Sequence, residues 1–252
     1  MALYSYYKQN NSPKRKIINY LSYISLTIGS FLLFWAFYPI ISFEIYSKVF
    51  LSRQIKTPII INEINKSLNN GLVLGKFNVF SNNLSDFTNA NLWFPSMTKT
   101  KFNKQLFEKN YFLSIPKLNI KDAEVLVGGN DLSKSLIHYL PKTKPGELGN
   151  VVIFGHSTLP QLYKPNDYKS IFTFLASLQK GDQIFIKVDD VIYQYEVFEM
   201  FVVSPSEISV LNQEFDASYL TLITCVPPGT YWKRLVVKAK LVPFFSKTGN
   251  PD

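Results

Sequence analysis

A single cysteine in 252 residues leaves no internal disulfide to staple a fold. Only two histidines accompany it, His138 and His156. A tetrahedral Cys/His zinc site therefore lacks ligands, and no metal or cofactor is expected. No glycine-rich phosphate loop and no repeat of 20–50 residues is present. Acidic residues are scarce, 18 against 27 Lys and Arg, for a net charge of +9. Long basic runs interleaved with stacking aromatics are missing, however. Only Lys14, Arg15 and Lys16 cluster, so no nucleic-acid partner is expected, and the charge suits a protein beside an anionic envelope.

Charge is also absent from Ile17 to Phe43. At about 1.5 Å per helical residue this run exceeds the roughly 30 Å hydrocarbon core of a bilayer. Tyr20, Tyr23, Trp35 and Tyr38 suit interfacial belts near its two ends. Lys8, Lys14, Arg15 and Lys16 precede it, which predicts a cytoplasmic N-terminus by the positive-inside rule. Bulky residues follow it where a signal peptidase needs small ones. The expectation is an uncleaved, single-pass signal anchor at 17–43 behind a basic cytoplasmic segment at 1–16. The remainder of the chain would lie outside the cell membrane.

Residues 44–110 are rich in Asn, Ser and Lys and read as an extracellular stalk or lid, with one hairpin expected around Gly71 or Gly75. In "NLWFPS", Trp93 or Phe94 has the bulk to plug a cleft. From Tyr111 the texture changes to many short strands with turn signals. Pro116 and Asn119 break the first two strands. Asn150 to His156 reads as a strand ending in Gly-His. Ser170 to Asp182 reads as a short helix stopped by Gly181. Two long strands meet at Asp189-Asp190, and "YLTLITC" and "RLVVKAKLV" supply the last two. This pattern predicts a mainly β domain, a closed barrel or a sandwich, with short helices, over 111–246 and a tail at 247–252.

The lone thiol, Cys225, falls where a buried strand gives way to Pro227, Pro228 and Gly229. A lone cysteine is either inert packing or a nucleophile. Nucleophilic catalysis needs a thiolate, a proton donor for the leaving group, and a cation or N–H groups for the oxyanion. His156, at a strand end, and Arg234, opening the strand after Cys225, supply the remaining chemistry. Arginine stays charged and offers a rigid fork of donors.

"TLITC" followed by Arg234 resembles the signature of the sortases, the membrane-anchored cysteine transpeptidases of bacterial envelopes. "PGELGNVVIFGHST" is similar to the family's segment carrying the catalytic histidine. "FLSIPKLNIKDAEV" is similar to its first strands, and residues 171–211 to its helix and middle strands. The resemblance runs from Phe112 to Phe245 and implies an eight-stranded barrel. It also implies catalytic roles for His156, Cys225 and Arg234. Cys225 would attack a Thr–Gly bond in an LPxTG-like sorting motif of secreted surface proteins. An amine of peptidoglycan or of a pilin would resolve the thioacyl-enzyme. Thr224 and His138 are expected to support or bind substrate near the site, and Asp167 is a further candidate to orient an imidazole.

The nine-residue step from Cys225 to Arg234, with Pro227 between, resembles class C and class D sortases. No Asp-Pro pair marks the lid of many pilin-type enzymes, and their second membrane segment is not expected of "LVPFFSKTGNPD". Alternatives are a non-catalytic anchored sortase-fold binding or scaffold protein, or a mainly hydrolytic cysteine peptidase.

Overall fold

The computed structural model describes residues 13–51, 88–94 and 110–243. The expected hairpin at Gly71 or Gly75 and the tail lie outside them. The chain divides into two compact units, Met1–Ser42 and Phe43–Asp252.

The first unit is helical from Pro13, the start of α1 (Pro13–Phe50). Its Lys16–Phe50 stretch is long and apolar enough to cross a membrane, with mean hydropathy 1.8. The helix runs further than the uncharged sequence that announced it. In the second unit Phe43, Ser47 and Leu51 recur every four residues and are buried on one face of its last turns. Phe43 and Leu51 belong to the same apolar core as Val226 and Val237. Glu44, on the same turns, pairs with Lys233 Nζ at 3.1 Å.

Eight strands form the body: β1 (Tyr111–Ile115), β2 (Ile120–Val127), β3 (Leu136–His138), β4 (Gly149–Phe154), β5 (Gln183–Val188), β6 (Val191–Val203), β7 (Ser218–Val226) and β8 (Lys233–Leu241). They close in the order β1-β2-β3-β4-β7-β8-β6-β5, with β1 pairing back onto β5. The pairs β2/β3 and β4/β7 are parallel and the rest antiparallel. Asn119 takes a left-handed conformation (φ 55°) between the first two strands, and Asp189 (φ 51°) does so between β5 and β6.

Both faces of the sheet are covered around β4 and β7, which is why every residue of those two strands is buried. Alternate side chains fill the barrel interior, among them Leu113, Val125, Ile153, Leu222 and Leu235. The other set, including Ile137, Phe154, Ile223, Cys225 and Val236, forms a second cluster on the outer face. A one-residue slip would exchange the two sets, so the register is strongly determined.

The expected helix over Ser170 to Asp182 is absent. Turns and one 3₁₀ segment, Leu175–Ser177, take its place. The bonds run three residues back, Thr173 N–H to Ser170 O, Leu175 N–H to Phe172 O and Leu178 N–H to Leu175 O. Phe172, Leu175 and Leu178 are all buried at this spacing. A strict three-residue repeat aligns on one side of a 3₁₀ turn and drifts off the face of an α-helix.

Candidate active site

The site is built on the outer sheet face at the ends of β4 and β7. These strands are parallel, so both deliver their C-terminal residues to the same barrel edge. Phe154 ends β4, and Gly155 N–H still bonds Ile223 O of β7 at 3.1 Å. His156 follows. A Cβ on Gly155 would collide with the Phe172 ring, so glycine lets the strand pass under the neighbouring turns.

Cys225 and Arg234 are direct cross-strand partners on β7 and β8. Paired residues in an antiparallel ladder project to the same side with Cβ atoms about 5 Å apart. This proximity supplies the electrostatic coupling. Burial pushes the Cys225 thiol up, and the Arg234 charge partly counters that. Burial likewise lowers Arg234.

His156 is half-buried at the same edge. Its Nδ1 lies 2.7 Å from the Ser157 carbonyl oxygen. A carbonyl only accepts, so Nδ1 carries the proton and Nε2 is left as the exchanging nitrogen. Burial lowers the ring's affinity for a second proton. The Ser157 carbonyl and the charge of Asp167 act the other way, and Lys169 lowers it again. Asp167 thus acts through its field, while its Oδ1 accepts from Lys169 N–H at 3.0 Å.

Thr224 faces the opposite way from Cys225 and its hydroxyl donates to Gly155 O at 2.8 Å, tying β7 to the turn that bears His156. His138 is brought to the far side of the sheet. It pairs with Ile153, an interior residue, and its ring stands edge-on to Tyr111 with centroids 5.8 Å apart. Fully buried there, it is lowered to about 3. The sheet itself separates it from the Cys225 face, so its expected place beside the site is not where the structure puts it. Strand parity explains the difference: Ile137 takes the outward position and His138 the inward one.

Residues 88–94 close over the outer face. Asn89 bridges Asp131, Ala90 N–H bonds Asn130 O at 2.9 Å, and Leu132 N–H bonds Thr88 O at 2.8 Å. Trp93 is 2% exposed and Phe94 0%. Trp93 stacks on Phe154 (5.2 Å, 13°), and Tyr139 stacks on Phe154 as well (4.5 Å, 19°). The Arg234 guanidinium lies 5.4 Å from the Trp93 ring centroid and 6.0 Å from that of Phe94. Arg234 Nη2 donates to the Trp93 carbonyl at 2.9 Å, and Nη1 to the Tyr231 and Lys233 carbonyls at 2.9 and 3.1 Å. Its Nε is buried with no hydrogen-bond partner among the described residues. Cys225 shares the apolar cluster of Trp93, Phe94 and Phe154.

Sequence reasoning overlooked Ser157, whose hydroxyl donates to the Cys225 carbonyl at 2.7 Å. It also missed the aromatic floor made by Tyr139 and Phe154. Adjacency to His156 was the one available signal for Ser157, and adjacency says nothing of what a hydroxyl touches.

The closed barrel thus sets a cysteine across the ladder from an arginine, at the edge where the parallel neighbour β4 leads into His156. Residues 113–242 match the family model described as a sortase domain, and the chain belongs to the sortase family. It is similar to Sortase D of Bacillus subtilis (strain 168), 26% identical over 149 residues, covering 57% of this chain and 69% of that one. It is also similar to Sortase A of Listeria monocytogenes, 26% identical over 159 residues, covering 62% and 67%. Among solved structures, a Clostridium perfringens Sortase D5 transpeptidase is 33% identical and covers 54% of this chain and 80% of its own, with a TM-score of 0.46. The chain is accordingly an enzyme of the cysteine transpeptidase class.

Proposed function

We propose that this sortase cleaves an LPxTG-like sorting motif between Thr and Gly and passes the acyl group to an envelope amine. Cys225 Sγ, as thiolate, attacks the Thr carbonyl carbon, and the carbonyl oxygen becomes an oxyanion. Arg234 holds that oxygen. As the oxyanion collapses, the C–N bond breaks and His156 Nε2 gives its proton to the departing amine. The thioacyl-enzyme is then attacked by an acceptor amine, of peptidoglycan or of a pilin. That amine's proton goes to His156, and Cys225 leaves as thiolate. The observation that carries this reading is the direct cross-strand pairing of Cys225 with Arg234 at the edge where the strand of His156 ends.

Two further features support it. The Trp93 carbonyl now accepts the Arg234 donor that a substrate carbonyl would use, so residues 88–94 must move before substrate binds. The two shifts described above widen the gap between thiol and imidazole, so thiol with neutral imidazole dominates near neutral pH. The reactive thiolate–imidazolium pair is a minority, which makes for a slow enzyme with coupled apparent pKa values. The basic N-terminal flank supports a cytoplasmic N-terminus with the barrel outside.

The reading is tested by incubating the full chain with a library of Leu-Pro-x-Thr-Gly peptides and identifying the thioacyl adduct on Cys225 by mass spectrometry. A protein that bound such peptides and never formed the adduct would be a scaffold. An adduct resolved by water alone would make it a peptidase.

A further inference from the structure

The turn bearing His156 is fastened to β7 by several hydrogen bonds. The Thr224 hydroxyl donates to Gly155 O (2.8 Å), and the Gly155 N–H donates to Ile223 O (3.1 Å). Next comes Ser157, 3% exposed, whose two oxygens do different things. Its carbonyl accepts from His156 Nδ1 at 2.7 Å, and its hydroxyl donates to the carbonyl of Cys225 itself, also at 2.7 Å. A third tie holds the same turn from behind, Phe172 N–H to His156 O at 3.0 Å.

We infer that Ser157 is a positioning residue that clasps the proton donor to the nucleophile, through its carbonyl on His156 and its hydroxyl on the backbone of Cys225. The inference rests on the proposed roles of Cys225 and His156. The carbonyl holds Nδ1–H and so leaves Nε2 as the nitrogen that trades its proton with the leaving amine. The hydroxyl makes the His156 turn and the Cys225 strand end move as one body. Misplacement of a reacting group by about 1 Å costs on the order of 10²-fold in rate, so a one-residue link between donor and nucleophile sets a geometry that neither strand sets alone. The Ser157 side chain contributes nothing to substrate contact in this account. Its removal therefore lowers the chemical step and leaves binding alone.

The test uses the full chain in detergent micelles with a Leu-Pro-x-Thr-Gly peptide that the unsubstituted protein cleaves. Ser157→Ala is expected to lower kcat by about 10-fold or more with KM within about 2-fold, since the clasp is lost and the binding face is not. Alkylation of Cys225 by iodoacetamide uses the thiolate and expels iodide, with no amine to protonate, and should stay within about 2-fold. Ser157→Thr, which keeps the hydroxyl, should recover most of the rate. The pH–rate profile of Ser157→Ala should shift on the limb set by His156. That limb is also shaped by Asp167 and Lys169, while Cys225 and Arg234 are the charged or titratable groups that β7 and β8 bring to the same edge. Nitrogen-15 NMR of the two histidine rings should show the Nδ1–H tautomer for His156 in the unsubstituted protein.

Unchanged kcat in Ser157→Ala would overturn the clasp. So would cleavage and alkylation falling in parallel, which marks a general loss of structure, or an Nε2–H tautomer at His156. If the unsubstituted protein cleaves none of the peptides, the proposed sorting reaction fails instead. The tautomer measurement, which needs no substrate, still tests the clasp, and an Nε2–H ring at His156 would overturn it.

Discussion

Trp93→Ala should make this enzyme faster. The Trp93 ring is 2% exposed, stacked on Phe154 at 5.2 Å and lies beside the Arg234 guanidinium at 5.4 Å. Truncating a buried tryptophan to alanine costs about 3–5 kcal/mol, and a cation–π contact of this kind accounts for about 0.5–2 kcal/mol in general. If Trp93 leaves its seat whenever substrate enters, the loss falls on the closed state alone. Taking about 3 kcal/mol, closing weakens by roughly 100-fold, since 1.4 kcal/mol is a factor of ten. Apparent affinity scales with the open fraction, so kcat/KM rises by up to about 100-fold and saturates once the open state dominates. The gain should appear mainly in KM, because the groups that react are untouched. The assay is cleavage of a fluorogenic sorting peptide, alongside iodoacetamide labelling of Cys225, which should accelerate in step. Trp93→Phe should fall between the two. Equal or lower kcat/KM in a Trp93→Ala protein whose circular dichroism shows it folded would refute the lid assignment.

Cys225→Ala should abolish peptide turnover and the thioacyl adduct while keeping the thermal transition within a few degrees, since one sulfur is lost from a cluster still floored by Phe154 and Val236. Arg234→Lys should lower kcat/KM by on the order of 10²-fold, because an ammonium replaces the planar fork that bridges three carbonyls and faces the thiol. The pH profile of kcat/KM should be bell-shaped, falling at low pH as Cys225 stays protonated and at high pH as His156 stays neutral; a single sigmoid would contradict the paired ionisation. His138, held near 3 in the fold against 6.5 as its ordinary value, binds fewer protons folded than unfolded between those limits. Stability should therefore drop as pH falls below about 6.5, by about 2 kcal/mol at pH 5 from this group, and urea titrations at pH 7 and pH 5 should show that difference shrink in His138→Gln.

Much of the barrel was legible in the linear chain because strand signals are local. Alternation and turn residues mark β5 and β6 around Asp189-Asp190, and Pro116 with Asn119 marks the break between β1 and β2. The membrane-length run was equally plain, since charge is simply missing from it. The Ser170 to Asp182 segment misled because a three-residue apolar spacing fits an α-helix and a 3₁₀ turn about equally over so short a span. The three-residue strand β3 carried too little pattern to be seen.

What the sequence determined by itself is the inventory: one thiol, two imidazoles, an arginine opening the following strand, and a family signature around them. Which of these meet was decided by the tertiary structure. Cys225 faces Arg234 because β7 and β8 pair in one register out of several, and a shift of one would turn the thiol into the barrel. His156 follows β4 to the edge where β7 delivers Cys225, while strand parity in the β3/β4 pair sends His138 to the inner face with Ile153. Trp93 reaches Arg234 across 141 residues of chain, and Ser157 reaches Cys225 across 68. No local propensity encodes such contacts, for their free energy exists only once the barrel has closed and brought distant segments to a common face.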